Sequence, residues 1–130
     1  MNIPENLLCT PTHEYIRQDG DYYYVGITDE FLKNLGGDIV YIELPDVGDV
    51  FIKKEVFATI ESDSVAIEVL MPLMAEIVEI NPAFDDGYDA INNEPLSDGW
   101  IMKVKSYNIE TDMFDFYEYN DYKSDYGTKE

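Results

Sequence analysis

The chain has little of three things: cysteine, basic side chains and long apolar runs. Its single cysteine, Cys9, argues against an internal disulfide framework and any multi-cysteine metal site, and is typical of a reducing compartment. No apolar run approaches the ~20 residues that a membrane-spanning helix needs. The first ten residues lack the basic segment and apolar core of a signal peptide. These absences predict a cytoplasmic protein that does not span a membrane.

The charge of the chain is strongly one-sided. Acidic residues outnumber basic ones by 28 to 8, which gives a formal net charge of −20 over 130 residues. This charge argues against nucleic acid and anionic membranes as partners, because phosphate groups would be repelled. It fits a protein partner with a basic docking face. An acidic surface that only keeps the protein in solution is an equally open interpretation.

The stretch from Ile60 to Asn81 organises the rest of the chain. Apolar residues at 65, 67, 69 and 71 predict one face of a strand, and Val56–Ile60 is a second, partly β-branched apolar run. Between them lies Glu61-Ser62-Asp63-Ser64, with nothing to bury. We therefore predict a hairpin with these four residues exposed at its tip. A tip held by two anchored strands is a place where a fold presents a group to a partner.

Short strands between turns predict a mainly β fold. Asp19-Gly20-Asp21 predicts a turn between strands His13–Gln18 and Tyr22–Ile27, and Thr28 followed by two acids predicts a helix that ends at Gly36-Gly37. Further predicted segments are strands at 38–44, 50–52, 76–80 and 100–105, a loop at 83–95 with one helical turn, and a helix from 111 to about 122.

These segments predict one domain over residues 1–123, followed by an acidic tail at 124–130. The domain is expected to be two small antiparallel sheets packed together, with a short helix after the second strand and a C-terminal helix.

An ordered series of short motifs runs from His13 to Lys105. It comprises His13-Glu14-Tyr15, Val25-Gly26-Ile27-Thr28, Leu35–Val40, Glu43–Gly48, Glu61-Ser62, Pro72, Glu76–Asn81 and Asp98–Lys105. In this order the motifs resemble the H protein of the glycine cleavage system. The resemblance implies the lipoyl-domain type of β-sandwich, a barrel-sandwich hybrid with flanking helices.

The resemblance also marks one position of the tip. In that family the tip reads Glu-Ser-Val-Lys-Ala, and the lysine carries lipoic acid through an amide. Counting back from Pro72 without a gap puts Ser64 at the lysine, Glu61 and Ser62 on the Glu-Ser, and Asp63 on the valine. A hydroxyl cannot form that amide, and no lysine lies within nine residues of Ser64. We therefore expect a divergent member that lacks the attachment lysine and has no lipoate cofactor.

Two further positions follow from the resemblance. The family has a cleft near its amino end that shelters the loaded arm, and its residues correspond to Thr12, Glu14 and Glu68. These would form a vestigial pocket, although a turn threonine and solvated acids are an equally open interpretation. The family glycine that follows paired lysines in a turn becomes Glu55 here.

Three functions remain open. The favoured one is a lipoate-free H-like protein that acts by binding; the expected partners are glycine decarboxylase, aminomethyltransferase, dihydrolipoyl dehydrogenase, lipoate-handling enzymes or a separate protein. The second is a genuine carrier in glycine decarboxylation, which Ser64 opposes. The third is an enzyme, for which no nucleophile, base or metal constellation is visible. We expect no catalytic residue and no metal site, because Glu61, Asp63 and Glu68 lack the close spacing of a calcium loop.

Overall fold

The structure, a computed structural model, describes residues 3–128 and contains two β-sheets with short helices around them. The strands are β1 (Leu8–Cys9), β2 (Glu14–Asp19), β3 (Tyr22–Ile27), β4 (Tyr41–Glu43), β5 (Val50–Phe51), β6 (Val56–Glu61), β7 (Ala66–Leu70), β8 (Ala75–Ile80), β9 (Met102–Ser106) and β10 (Tyr117–Glu118). The helices are α1 (Asp29–Leu35), α2 (Asp89–Asn93), α3 (Ile109–Asp112) and α4 (Tyr119–Tyr126), with 3-10 turns at Pro82–Asp86 and Met113–Asp115.

The two sheets are antiparallel and unequal in size. The larger has the strand order β10-β1-β2-β3-β9-β8-β5, and the smaller has the order β4-β6-β7. The predicted mainly β architecture of two antiparallel sheets is confirmed, but only one of the sheets is small. The first helix follows the third strand rather than the second, because the two-residue strand β1 was not predicted.

Local signals in the sequence set the first hairpin and the first helix. Asp19 pairs with Tyr22 across a tight turn in which Gly20 adopts φ 61°. Thr28 caps α1 by accepting a hydrogen bond from the backbone N of Phe31, and Gly36 ends the helix in the left-handed conformation with φ 69°. Both predicted elements are confirmed.

The core lies between the sheets and beneath α1. Side chains on a strand alternate between the two faces, so alternate residues of each strand point into this core. The fully or nearly buried members include Ile16, Val25, Ile27, Phe31, Leu35, Ile42, Ile60, Val69, Ile77 and Val104. The opposite face of the small sheet carries Tyr41, Glu43, Glu61 and Glu68, of which Glu61 is half-buried and the others exposed. One face of the small sheet therefore packs against the core, and the other faces solvent.

The C-terminal segment differs from its prediction. The prediction of one helix from Thr111 to about Tyr122 is wrong, because the chain is extended at Phe116 and forms strand β10 before α4 begins at Tyr119. In β10, Tyr117 pairs with Cys9 and so extends the larger sheet beyond β1. This long-range pairing overrides the helical spacing of the aromatic residues.

Two smaller predictions also change. The strand expected at 38–44 is only Tyr41–Glu43, and Val40 is 51% exposed rather than part of the apolar face. The tail expected from residue 124 begins inside α4, and the backbone N of Thr128 donates a hydrogen bond to Glu30. Residues 1, 2, 129 and 130, which fall within the predicted domain and tail, lie outside the described residues.

Candidate functional site: the hairpin tip and the neighbouring cleft

The hairpin of β6 and β7 ends in a four-residue loop. The paired residues run from Val56 with Leu70 to Glu61 with Ala66, so the loop is residues 62–65. The backbone N of Ser62 donates to the carbonyl of Val65 at 2.9 Å and closes the loop. The predicted tip is thus shifted by one residue, and Glu61 belongs to the strand.

Ser62 is buried, which corrects its predicted exposure. Only 9% of it is exposed, and its Oγ donates to the carbonyl of Leu35 at 2.8 Å. The same Oγ accepts hydrogen bonds from the backbone N of Ser64 and of Val65, both at 3.2 Å. The carbonyls at the end of a helix have no partner within the helix, so the hydroxyl satisfies one of them at the end of α1. Ser62 therefore holds the loop against α1.

Asp63 and Ser64 are the parts of the predicted tip that face solvent. Both side chains are exposed, whereas Glu61 is half-buried between Tyr41 and Ala66 on the neighbouring strands. The position of Ser64 in the loop is fixed through its backbone N, and its side chain remains accessible. The tip can present a side chain at position 64 to another molecule.

The three predicted cleft residues lie together. Thr12, Glu14 and Glu68 line one cavity of about 460 Å³ between the amino-terminal loop, α1 and β7. The remaining lining residues are Pro11, His13, Phe31, Asn34, Ile67 and Leu70. Apolar side chains form much of this wall. The three residues therefore border one cavity beside α1, and a role of this cavity as an arm cleft stays a prediction.

Glu14 is a buried carboxylate with several donors. It is 1% exposed and accepts hydrogen bonds from Thr10 Oγ1 at 2.8 Å, from Thr12 Oγ1 and from the backbone N of Leu70 at 3.2 Å. Burial raises the pKa of Glu14, and these hydrogen bonds oppose the rise. The interpretation as a solvated acid is wrong for Glu14, but Glu68 is exposed. The sequence analysis did not identify Thr10 as a partner of Glu14. Its position two residues before Thr12 is the feature of the sequence that could have indicated it.

The C-terminal helix α4 packs beside this cleft. The hydroxyl of the buried Tyr122 lies 2.6 Å from His13 Nδ1 and 2.6 Å from Thr28 Oγ1. Burial lowers the pKa of His13, opposed by the negative charges of Glu30 and Asp29. Tyr122 is therefore part of the packed interior and not of the exposed surface.

A charged network joins α4 to the first turn of α1. Lys123 Nζ lies 2.7 Å from Asp29 Oδ2 and also contacts Glu30, which additionally accepts from Lys33 and from Thr128. Burial would raise the pKa of Glu30, but these hydrogen bonds hold it well below its usual range. α4 is therefore fixed to the amino end of α1.

The exposed face of the small sheet is acidic. Glu43 and Glu68 lie in one row on either side of Thr59, and Glu61 lies in the next row. Among residues 3–128, no group of three histidine, cysteine, aspartate or glutamate side chains is arranged to hold a metal ion. No helix in the same range is long and apolar enough to cross a membrane.

Comparison with known proteins identifies the family of the chain. The family model described as Glycine cleavage H-protein matches residues 7–126. A glycine cleavage system H protein from Halothermothrix orenii is 44% identical over 105 residues, 81% of each chain, and one from Herpetosiphon aurantiacus is 38% identical over 128 residues, 98% of each chain.

A solved structure supports the same assignment. The crystal structure of a glycine cleavage system H protein from Mycobacterium marinum superposes with a TM-score of 0.82 at 29% identity, covering 97% of this chain and 100% of that one. The match confirms the predicted lipoyl-domain-like barrel-sandwich fold. On the family match, the relatives and this superposition, the chain belongs to the glycine cleavage H-protein family.

Proposed function

We propose that this chain is a lipoate-free member of the glycine cleavage H-protein family that acts by binding other proteins. The observation that carries the proposal is Ser64, an exposed serine in the loop that ends the β6–β7 hairpin. The family is one of carrier proteins rather than enzymes, so the prediction that the chain is not an enzyme is confirmed by its family.

The chemistry of the tip argues against lipoate. The family normally carries lipoate on a lysine amine, and a serine hydroxyl does not form the required amide. The nearest lysine is Lys54, ten positions before Ser64. Its backbone N bonds to the carbonyl of Met71, at the far end of the hairpin. A six-residue strand spans roughly 20 Å, so Lys54 is remote from the loop. The residues at the tip do not fit the cofactor.

The acidic face around the tip supports binding to a basic protein surface. Glu43, Glu61 and Glu68 share the outer face of the small sheet, and the exposed Asp63 extends this charge to the loop. Opposite charges on two proteins raise their rate of association and orient the encounter. We propose glycine decarboxylase, aminomethyltransferase, dihydrolipoyl dehydrogenase or lipoate-handling enzymes as partners, and a cytoplasmic location.

Incubation with a lipoate ligase and intact-mass measurement test the cofactor part of the proposal. The unmodified chain is expected to keep its mass, and a Ser64→Lys variant is expected to gain one lipoyl group. A Ser64→Ala variant is the matched control and should stay unmodified. Modification of the unaltered chain would instead establish the alternative, a genuine carrier in glycine decarboxylation.

Direct binding to the purified partner enzymes tests the second part. A variant with Glu43, Glu61 and Glu68 replaced by glutamine should bind its partner several-fold more weakly, and the difference should shrink at high salt. A matched variant with the exposed acids Glu110, Asp121 and Asp125 neutralised, away from this face, is expected to bind as the unaltered chain does. Equal binding by both variants would exclude the acidic face as the docking surface.

A further inference from the structure

A second cavity lies on the other side of Glu14. Its volume is about 560 Å³, and it is bounded by four segments: the loop at 10–12, the turn at 53–54, the chain at 70–72 and the segment at 114–117. Pro11, Thr12, Glu14 and Leu70 line both this cavity and the cleft beside α1. The hairpin tip and α1 do not contribute to the second cavity, so it is a separate feature of the surface.

Lys54 lines this cavity in an unfavourable backbone conformation. Its φ is 73°, in the left-handed region that glycine adopts without strain and lysine does not. The position of the turn that favours glycine is therefore 54. The resemblance had instead placed the family glycine at Glu55. Non-glycine residues in this conformation are strained, and such residues cluster at ligand sites.

The ammonium group of Lys54 is available for a ligand. Within residues 3–128, ion pairs join Lys33, Lys53, Lys103 and Lys123 to carboxylates, and none reaches Lys54. Two carboxylates line the cavity: Asp115 is hydrogen-bonded to Lys53 Nζ at 2.8 Å, and the buried Glu14 already accepts hydrogen bonds from Thr10, Thr12 and the backbone N of Leu70. An unpaired cation beside a cavity is notable in a chain with a net charge of −20.

The wall next to Lys54 is apolar and is held in place. It is formed by Leu70, Met71, Pro72, Phe114 and Phe116, and Phe114 is 83% exposed at the surface. Lys53 Nζ also donates to the carbonyl of Asp112 at 2.9 Å, which fixes the segment that bears both phenylalanines. Four charged residues, Glu14, Lys53, Lys54 and Asp115, also line the cavity, and Lys54 is the one of them without a hydrogen-bonded side-chain partner among residues 3–128. An apolar wall beside a few polar groups is the usual composition of a small-molecule site.

We propose that this cavity binds a small apolar carboxylate. The carboxylate pairs with the ammonium group of Lys54, and the apolar body lies against Phe116, Phe114 and Leu70. We infer the anionic end of the ligand from the unpaired ammonium group of Lys54. We infer its aromatic or alkyl body from the apolar side chains that line the cavity. The proposal is independent of lipoate attachment, because it does not involve Ser64, and Leu70 is the one residue it uses that also lines the cleft beside α1.

Titration with 4-phenylbutyrate, followed by NMR chemical shifts and calorimetry, tests the proposal. The expected result is saturable binding with shifts confined to the cavity residues. Lys54→Gln should weaken binding about tenfold, because a charge-assisted hydrogen bond is lost. Lys105→Gln removes another lysine that makes no ion pair within the described residues and lies outside the cavity. This matched control should bind as the unaltered chain does.

Lys54→Gly separates the ligand role from a structural one. Glycine accepts the left-handed conformation, so this variant should remain folded and yet lose binding to the same extent as Lys54→Gln. Phe114→Ala should weaken binding without lowering the unfolding temperature, because Phe114 is mostly exposed. Ser64→Lys should not alter binding, which keeps this test distinct from that of lipoate attachment.

Three results would overturn the proposal. One is an affinity of Lys54→Gly for 4-phenylbutyrate equal to that of the unaltered chain. Another is tighter binding of 4-phenylbutylamine than of 4-phenylbutyrate, because an amine would be recognised by Glu14 rather than by Lys54. The third is an absence of saturable binding to the unaltered chain at millimolar probe.

Discussion

The hairpin tip and the helix α4 are attached to opposite ends of α1 in different ways. At the carboxyl end, the single hydroxyl of Ser62 holds the loop through the carbonyl of Leu35. At the amino end, α4 is held by the buried Tyr122 and by Lys123, which contacts the acids of the first helical turn. One attachment fixes only the backbone of the loop, and the other is a network of buried and half-buried side chains.

The difference bears on the side chain at position 64. The contacts that hold the loop come from Ser62, so the exposed side chain at position 64 has no part in folding. The acids of the first turn of α1 are also favourably placed at the positive end of the helix dipole, which adds to the α4 attachment. The contacts that stabilise the fold are therefore different from the side chain that the tip exposes to other molecules.

The largest effect is expected from Tyr122→Ala in α4. Tyr122 is fully buried, and its removal leaves a cavity and unpaired partners at His13 and Thr28, for an expected loss of about 3–5 kcal/mol in the free energy of unfolding. Denaturant unfolding measures it. Tyr126→Ala, on the same helix but 38% exposed, is the control and should cost less than half as much.

Replacement of Glu30 by glutamine tests the charged part of the same attachment. A loss of about 2 kcal/mol at pH 7 is expected, because Lys123 and Lys33 lose a hydrogen-bonded carboxylate. The pKa of Glu30 is lowered on folding, so its stabilising contribution is present above the unfolded pKa near 4.3 and is lost as the pH falls below it.

The pH dependence of unfolding checks this assignment. The difference in unfolding free energy between Glu30→Gln and the unaltered chain should be constant above about pH 6 and should decrease from roughly pH 5 downward. A difference that stays the same down to pH 3 would mean that the carboxylate charge of Glu30 contributes nothing.

A smaller effect is expected from Ser62→Ala at the tip. The loss of the bond to the Leu35 carbonyl, and of the acceptor for two backbone N–H groups, should cost about 1–2 kcal/mol. Hydrogen exchange at the amides of Ser64 and Val65 should become faster while exchange in α4 stays unchanged. Unchanged exchange at the tip would show that the loop is held by something other than Ser62.

The smallest effect is expected from Ser64→Lys. The side chain is exposed and makes no contact on which the loop depends, so the change in unfolding free energy should lie within about 0.5 kcal/mol. Thermal unfolding of this variant beside Ser64→Ala measures it. A large loss of unfolding free energy in the lysine variant alone would show that the loop has adapted to a small side chain. Folding would then depend on the side chain at position 64.

Local signals in the sequence were enough for most of the fold. The caps of α1 at Thr28 and Gly36, and the turn at Gly20, were predicted because each depends on residues a few positions apart. That Thr12, Glu14 and Glu68 line one cavity was expected from family resemblance alone. The break before α4 was missed, because the pairing of Tyr117 with Cys9 joins residues 108 positions apart.

The sequence by itself determined the alternation of the strands, the turns, the charge and the absence of a lysine near position 64, since each is a property of residues close in the chain. Only the tertiary structure decided that Ser62 is buried, that Tyr122 joins His13 to Thr28, and that Lys54 borders a cavity. Burial and hydrogen bonding depend on which distant segments meet, and a local pattern of residues does not specify that meeting.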